Sequence, residues 1–474
     1  MNHLASYDFE VNDYFSEDHQ SSLKSEVTPE EMGFGRYTKN NGETSYNFNA
    51  NKFSEYLQKC IIGVQDENDN LYLYNQKGHY RMAESWLVGK LVKTLMCQTE
   101  ALWKPSYEKM GIEAYRRDLR KMVVQFNHSD KINLQNGVLN LDTMELEPHT
   151  PEFLTTVLIP FDYDPNAQCP RFLKFIEEIT ENDQELGTVI QEMVGYCLCH
   201  NTKAEKAFYL FGTGNNGKSV LAKVIEQLVG QENTSHVPLG KFGENFGLAS
   251  MLNKNVNIAS ENELSTKLNS ESFKSIVSGD AMSIARKYKE DVHCILSCKL
   301  VMLLNSLPDT ADVTLGYFRK VLIIPFNHTF TEQEVDKHLF DKLLLEMPGI
   351  LNWALEGLKR LKQNNYKFSK SSQTEKVTQR YMEEQNPVGV FFRETYEKAP
   401  DGQIKRSDIY AAYQGWCCNN GLEVFNRADF WKKLKIKSGE VGSDIVLDYK
   451  RIKGADYLKG YKKINEPAKL FNHR

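Results

Sequence analysis

The chain reads as a multidomain α/β protein: a phosphate-loop core, an α+β N-terminal domain before it and a C-terminal winged helix after it. Three observations point there. At 206–224, KAFYLFGTGNNGKSVLAKV, an apolar run breaks into a glycine-rich loop and resumes with helical spacing. Two more short apolar runs, inside 253–263 and 299–308, each end on a polar residue, as buried strands of one sheet would. Residues 425–463 then carry eleven Lys or Arg against five Asp or Glu, in a helix followed by two extended segments.

In chain order, residues 1–45 are expected to be an acidic flexible arm, with eight Asp or Glu against Lys24 alone in the first 35. Residues 46–183 form the expected N-terminal α+β domain. LYLYNQKGHYRM (71–82) reads as a hairpin turning at Lys77-Gly78, and 131–165 as short strands with turns at Asn136-Gly137 and Asp142-Thr143. Pro170 opens a helix within 169–183. The core is expected over 184–365, a polar surface linker over 366–385 and a basic domain over 386–474. In that last domain, 406–421 reads as a helix begun at Ser407-Asp408 and ended by Asn420-Gly421. Asn426 caps a second helix, and two strands follow around Gly454. Two helices and a basic hairpin are the pattern of a winged helix, whose second helix can enter a major groove. Arg427, Lys432 and Lys433 are its candidate duplex DNA contacts, acting through phosphate neutralisation. A basic protein-interaction domain fits the same composition.

Composition excludes other classes. The 474 residues leave room for about three domains, and 41% hydrophobic with 26% charged residues is ordinary for a globular chain. No apolar run reaches the length of a membrane span, and the N-terminus lacks the basic-then-apolar pattern of a signal peptide. A cytoplasmic protein with no membrane partner is expected. The nine cysteines, scattered from Cys60 to Cys418, suit a reducing compartment. Cys197, Cys199 and His200 are too tightly spaced for the usual zinc pair, and Cys294 and Cys298 fall in a strand region, so all read as small buried hydrophobes. The net charge of −5 averages an acidic start and a basic end.

Gly212-Thr213-Gly214-Asn215-Asn216-Gly217-Lys218-Ser219 fits G-x-x-x-x-G-K-[ST] between a strand and a helix. The glycines let successive N–H groups face phosphate oxygens at a helix N-terminus. Lys218 would neutralise the β/γ-phosphates and Ser219 would hold Mg²⁺, which makes ATP and Mg²⁺ the expected cofactors. Hydrolysis needs a carboxylate from a second strand. Glu261, just past the strand in 253–263, is the expected catalytic and metal-linked acid, with Glu263 in support. Asn305, at the end of the run in 299–308, is placed to hold the attacking water; a turn asparagine before Pro308 is the plainer alternative. Arg319, followed by Lys320 and an apolar strand, is placed to act across a subunit boundary on a neighbour's γ-phosphate. Between the second and third strands, 278–296 makes two alternating arms around Arg286-Lys287-Tyr288-Lys289. A basic tip with one aromatic suits a single-stranded phosphate backbone and a base or sugar; a solvated hairpin is the alternative.

Phosphate loop, carboxylate strand, basic hairpin, asparagine strand and trailing arginine, in that order, resemble superfamily 3 helicases, a branch of the AAA+ ATPases. SIARKYK looks like the DNA-gripping hairpin of papillomavirus-type members. NGVLNLDTMELEPHTPEFLTT with FDYDP, KFGENFGLASMLNKNVNIASENE, NPVGVFF and RSDIYAAYQGWC are similar to the poxvirus-type and phage/plasmid primase-helicase group. Replication initiator-helicases of staphylococcal pathogenicity islands and similar mobile elements resemble the chain most, over roughly residues 70–460. The resemblance implies an AAA+ P-loop core and a homo-oligomeric ring, a hexamer. It also implies replication-origin DNA and host replication proteins as partners, and 3′ to 5′ unwinding. Ser260-Glu261 stands where many viral members carry two acids, and Arg319-Lys320 where the group often has two arginines. The span before the core is short for a primase domain, so unwinding without priming is expected. A nucleotide-switched origin-binding protein that recruits another helicase, and a P-loop kinase, are the alternatives.

Overall fold

The computed structural model describes residues 11–16, 27–66, 69–98, 102–119, 126–127, 130–261, 269–287, 289–308, 310, 315–385, 387–420, 422–438 and 445–464. At the N-terminus, strands β1 (Phe34–Thr38) and β2 (Thr44–Phe48) form a hairpin. Helix α1 (Ala50–Cys60) follows, begun by the Asn49 side chain accepting from the Asn51 and Lys52 amides. Strands β3 (Gly63–Gln65), β4 (Leu71–Asn75) and β5 (His79–Met82) make an antiparallel sheet with the expected turn at Gly78, whose φ of +85° favours glycine. Helices α2 (Ser85–Met96) and α3 (Pro105–Asp118) close a core of Phe53, Leu57, Leu91, Leu95 and Tyr115.

That core also holds Tyr14, Phe15, Met32 and Phe34, so 11–16 and 27–45 depart from the flexible arm expected over 1–45, while 1–10 and 17–26 lie outside the described residues. The acidic composition hid a few large apolar anchors, and burying each outweighs the neighbouring charges, which stay in water. Gln76 N–H donates to the Asp13 carbonyl at 2.7 Å, and Lys77 pairs with the Asp13 carboxylate at 2.9 Å.

Strands β6 (Lys131–Leu134), β7 (Gly137–Asn140) and β8 (Leu146–Glu147) form a small antiparallel sheet. Helices α4 (Pro170–Thr180) and α5 (Gln184–Leu198) follow, α4 with Pro170 in its first turn as expected. Ile132, Leu139, Phe172 and Phe175 share one apolar core with the helices of the unit that carries the glycine-rich loop. Packing therefore joins 131–183 to that unit, whereas the expected division fell after 183.

The central sheet contains β9 (Ala207–Phe211), then helix α6 (Lys218–Val229), β10 (Thr234–Ser235) and β11 (Val256–Glu261). Helix α7 (Ser270–Ser278) leads into the hairpin β12 (Ala281–Arg286) and β13 (Lys289–Ile295), which returns to β14 (Lys299–Leu304). A short helix α8 (Leu315–Phe318) precedes β15 (Val321–Pro325). The order is β10-β11-β14-β9-β15, all parallel. Successive side chains alternate between two cores: Phe208 and Leu210 face α5, α6 and α10 (Met347–Gln363), while Ala207 and Tyr209 face α7. The short helix α9 (Leu339–Leu344) precedes α10. At Gly195 a Cβ would meet Leu358 N at 2.6 Å, so α5 and α10 touch backbone to backbone.

The expected linker is another correction. Residues 372–385 form helix α11 (Ser372–Gln385), and its Tyr381 is buried in the second core. A largely polar sequence folds here because one aromatic and a row of side-chain bonds hold it: Ser372 to Glu185 at 2.8 Å and Gln373 to Asp183 at 2.8 Å.

The C-terminal unit has helix α12 (Pro387–Thr395), β16 (Tyr396–Lys405), α13 (Arg406–Asn420), α14 (Arg427–Ser438), β17 (Tyr449–Ile452) and β18 (Ala455–Lys463). Its sheet runs β16-β18-β17, around a core of Phe391, Tyr413, Phe430 and Leu458. The two expected helices and two strands are present; α12 and β16 were not foreseen. Among the described residues, no helix is long and apolar enough to cross a membrane. No group of three or more His, Cys, Asp or Glu among them is placed to hold a metal. Cys197, Cys199 and Cys298 are buried, and burial raises their thiol pKa values.

Two histidines make the fold acid-sensitive. Burial, with Lys299 nearby, pushes His200 down to about 4, and burial pushes His79 down to about 3, against a usual 6.5. His200 donates to Asn255 Oδ1 at 2.7 Å and accepts from Ser297. Below 6.5 the unfolded chain binds protons that these folded sites refuse. Stability is therefore full above pH 6.5 and falls as the pH drops toward 4. Denaturant melts across that range should show the loss, and His200→Gln with His79→Gln should flatten it.

Candidate functional site

The glycine-rich loop sits where β9 ends and α6 begins. Gly217 caps the helix at φ +86°, and a Cβ there would also strike Ile179 at 2.7 Å. At Gly212 a Cβ would run into the Asn216 side chain and lie 2.6 Å from the Phe326 carbonyl. The loop is latched on both sides: Gly212 N–H donates to Leu304 O at 3.1 Å, and Phe330 N–H donates to Asn215 O at 2.8 Å. Asn215 returns a side-chain bond to Phe330 O at 3.1 Å, and Asn216 donates to Phe326 O at 3.3 Å.

Lys218 is buried, and its ammonium donates to three neutral oxygens: Gly212 O at 2.5 Å, Asn216 Oδ1 at 3.2 Å and Asn305 Oδ1 at 3.5 Å. Burial lowers its pKa. Thr213 and Ser219 are exposed, and Ser219 lines a cleft of about 390 Å³ with Gly214 to Lys218, Ser260 and Asn305. Arg171, Phe175 and Glu178 of α4 and residues 330–339 form the remaining walls. Nothing in their spacing tied α4 or 330–339 to the loop, because the contacts are long-range. The Phe330–Asn215 pairing and the packing of Leu339 on the core beside α6 bring 330–339 over the cleft.

The sheet order sets the spacing of the other candidates. In register, Glu261 is level with Leu304, and Leu304 with Phe211, so β11, β14 and β9 end together. Asn305 follows the strand beside the loop, and Glu261 lies one strand further, about 10 Å from the β9 end by strand spacing. Glu261 is the last residue of β11 rather than the first beyond it. Its side chain and the whole of Glu263 lie outside the described residues.

Arg319 is not brought to this cleft. Val321 pairs with Ala207, and Ala207 N–H donates to Lys320 O at 2.7 Å, so Arg319 stands at the opposite end of β9. Five strand residues put it about 17 Å from the loop. Arg319 is exposed, whereas Lys320 is buried and pairs with Glu205 at 2.7 Å and Ser278 at 2.5 Å.

The expected basic hairpin is present, with Ile284 and Val292 paired and buried partway along its arms and Lys287 exposed at its tip. Tyr288 and the Lys289 side chain lie outside the described residues. Arg286 sits close enough to the N-terminal strands for its charge to act on the Tyr72 hydroxyl. In the C-terminal unit, Asn426 caps α14 by accepting from Asp429 N–H at 3.0 Å, as expected. Arg427 and Lys432 are exposed. Lys433 is a correction: it is half-buried with its ammonium 4.6 Å over the Phe425 ring, so it does not point outward. Trp431 is buried beneath the Arg406 guanidinium, 4.4 Å from its ring.

Comparison with known proteins gives two family matches, "D5 N terminal like" over residues 69–181 and "Family of unknown function (DUF5906)" over residues 210–319. The second span contains the loop, Glu261, Asn305, the hairpin and Arg319. "Putative helicase 121R" of Invertebrate iridescent virus 3 is 20% identical over 369 residues, covering 67% of this chain and 38% of that protein. The chain thus spans less than half of that relative. "Uncharacterized mitochondrial protein ymf21" of Marchantia polymorpha is 23% identical over 163 residues, covering 29% of this chain and 91% of that protein. An apo structure of the NrS-1 C terminal region matches with a TM-score of 0.50 at 12% identity, covering 86% of this chain and 98% of that one. That likeness concerns the fold.

The loop geometry gives a stability prediction. Gly217→Val places a branched side chain at positive φ and against Ile179, and should destabilise the protein by about 2 kcal/mol or more. Equilibrium unfolding measures it.

Proposed function

We propose that the chain is an ATP-driven DNA helicase of the superfamily 3 AAA+ type, serving to initiate replication of a phage-like mobile element. The observation that carries this is the buried Lys218, held by neutral oxygens of the loop and of Asn305 at the shared C-terminal edge of parallel strands. Ligands of open parallel sheets bind at that edge. The cradle fits a phosphate chain, since Gly212 and Gly217 leave room no other residue would. ATP and Mg²⁺ suit the donor set: Mg²⁺ takes one or two protein oxygens and keeps waters and phosphate oxygens, a role for Ser219 and the β11 carboxylate. Bound there, Mg²⁺ would neutralise charge on the phosphates.

The similarity to a viral helicase and to D5-type domains supports a role in replication. DNA partners follow from the hairpin tip, with Lys287 exposed, and from the exposed Arg427 and Lys432. A three-helix unit with a three-stranded sheet and a basic β17–β18 hairpin supports the winged-helix assignment. The distance between Arg319 and its own loop supports a ring, a hexamer by resemblance, in which Arg319 serves the neighbouring cleft. Travel from 3′ to 5′ rests on the resemblance alone. The basic C-terminal unit also favours a second function, a nucleotide-switched origin-binding protein.

ATP turnover with and without single-stranded DNA tests the proposal, with stimulation by the strand expected. Lys218→Ala should abolish turnover, and Glu261→Gln should bind nucleotide without hydrolysing it. Normal hydrolysis by Glu261→Gln, with loss in Glu263→Gln, would reverse the two acids' roles.

Arg319→Ala subunits should bind nucleotide yet be inactive alone. Mixed with Lys218→Ala subunits they should recover part of the ATPase, because one interface type then has both groups intact. Verified mixed oligomers with no recovery would remove Arg319 from the neighbouring site.

A further inference from the structure

Three tyrosines lie end to end beneath the central sheet. Tyr209 of β9, Tyr317 of α8 and Tyr381 of α11 are all fully buried. The Tyr209 and Tyr317 hydroxyls are 3.2 Å apart, those of Tyr317 and Tyr381 are 3.3 Å apart, and Tyr381 donates to the Pro308 carbonyl at 2.6 Å. A carbonyl only accepts, and a phenol carries one proton. With the Tyr381 proton committed to Pro308, Tyr317 must donate to Tyr381 and Tyr209 to Tyr317. The chain then runs one way, from the phosphate-loop strand to the segment after Asn305. Buried bonds in series reinforce one another.

Each member is attached to a different working part. Tyr209 lies three residues before Gly212, Tyr317 two before Arg319, and Pro308 three after Asn305. Tyr381 belongs to the helix that leads into the C-terminal unit. The end of that helix makes a second bond to the same segment, where Gln385 Oε1 accepts from Thr310 N–H at 2.9 Å. Rings fill the space between, with Phe273 of α7 5.4 Å from Tyr317 and Phe318 5.5 Å from Tyr381. Helix α7 leads directly into the basic hairpin.

We propose that α11 is a transmission element and that Tyr381 is its positioning residue. By holding Pro308 it sets the Asn305 end of β14, so the C-terminal unit and the nucleotide cleft each respond to the other's ligand. This deepens the proposed function and rests on its nucleotide-binding and duplex-binding parts. A movement of α11 with the C-terminal unit must either carry Pro308 along or break the bond from the Tyr381 hydroxyl, on a fully buried ring, to the Pro308 carbonyl, which costs free energy. Coupling between two binding sites is reciprocal.

The test measures duplex DNA affinity of the full chain with and without a non-hydrolysable ATP analogue, and analogue affinity separately. The wild-type duplex affinity should shift by about fivefold or more on adding analogue. Tyr381→Phe keeps the ring contacts and removes the hydroxyl. Its shift should fall below about twofold, while its separate affinities for duplex and analogue stay within about twofold of wild type. Tyr317→Phe interrupts the same chain one link earlier and should reduce the shift in the same direction, with melting curves confirming that both variants fold. A full shift in both variants, or a wild type that binds both ligands without any shift, overturns the proposal. A wild type that binds neither analogue nor duplex instead overturns the function on which it rests.

Discussion

A buried ammonium whose partners among the described residues are all neutral oxygens is the constraint around which this molecule is arranged. Lys218 gives its protons to a loop carbonyl and two asparagine amides, and desolvation lowers its pKa. Neutral oxygens do not compensate a buried charge as a phosphate would. Holding the side chain there takes a loop that only glycine permits at 212 and 217, and a sheet whose strands end in line. It also takes Asn305 on the adjacent strand. Each requirement is met by a different segment, which is why the loop is latched to 304, 326 and 330.

The sheet has two ends, and the candidate groups divide between them. The loop, Asn305 and the end of β11 share the C-terminal edge. Arg319 and the start of β14, where the hairpin returns, share the other. In the proposed ring this division is what an interface needs, since an arginine too far from its own cleft remains available to the next. Lys320 is fixed within its own subunit by Glu205 and Ser278, which leaves Arg319 as the exposed cation of the pair.

Much of this was legible in the sequence, and the gaps have physical causes. The strand, loop and helix at 207–229, the hairpin after α7 and the capping by Asn426 depend on local spacing, and local spacing survives into the structure. The misjudged segments depend on single long-range anchors. Tyr14 and Phe15 draw an acidic stretch into a core, and Tyr381 does the same for a polar helix that looked like a linker. The strands at 131–147 reveal their allegiance only through contacts with α4 and α5. Lys433, a candidate duplex contact by its charge and position, instead covers Phe425 with its stem and charge, as long cationic side chains often do. Arg171 and residues 330–339 carry no motif, and the fold alone brings them to the cleft.

If nucleotide consumed at the Lys218 cleft separates DNA strands, strand displacement shows it. A labelled strand annealed beside a single-stranded 3′ tail is incubated with the protein, ATP and Mg²⁺. The strand should be released with ATP, but not with a non-hydrolysable analogue and not by Lys218→Ala. ATP turnover stimulated by DNA without any release would rule out strand separation and leave a nucleotide-switched DNA-binding protein.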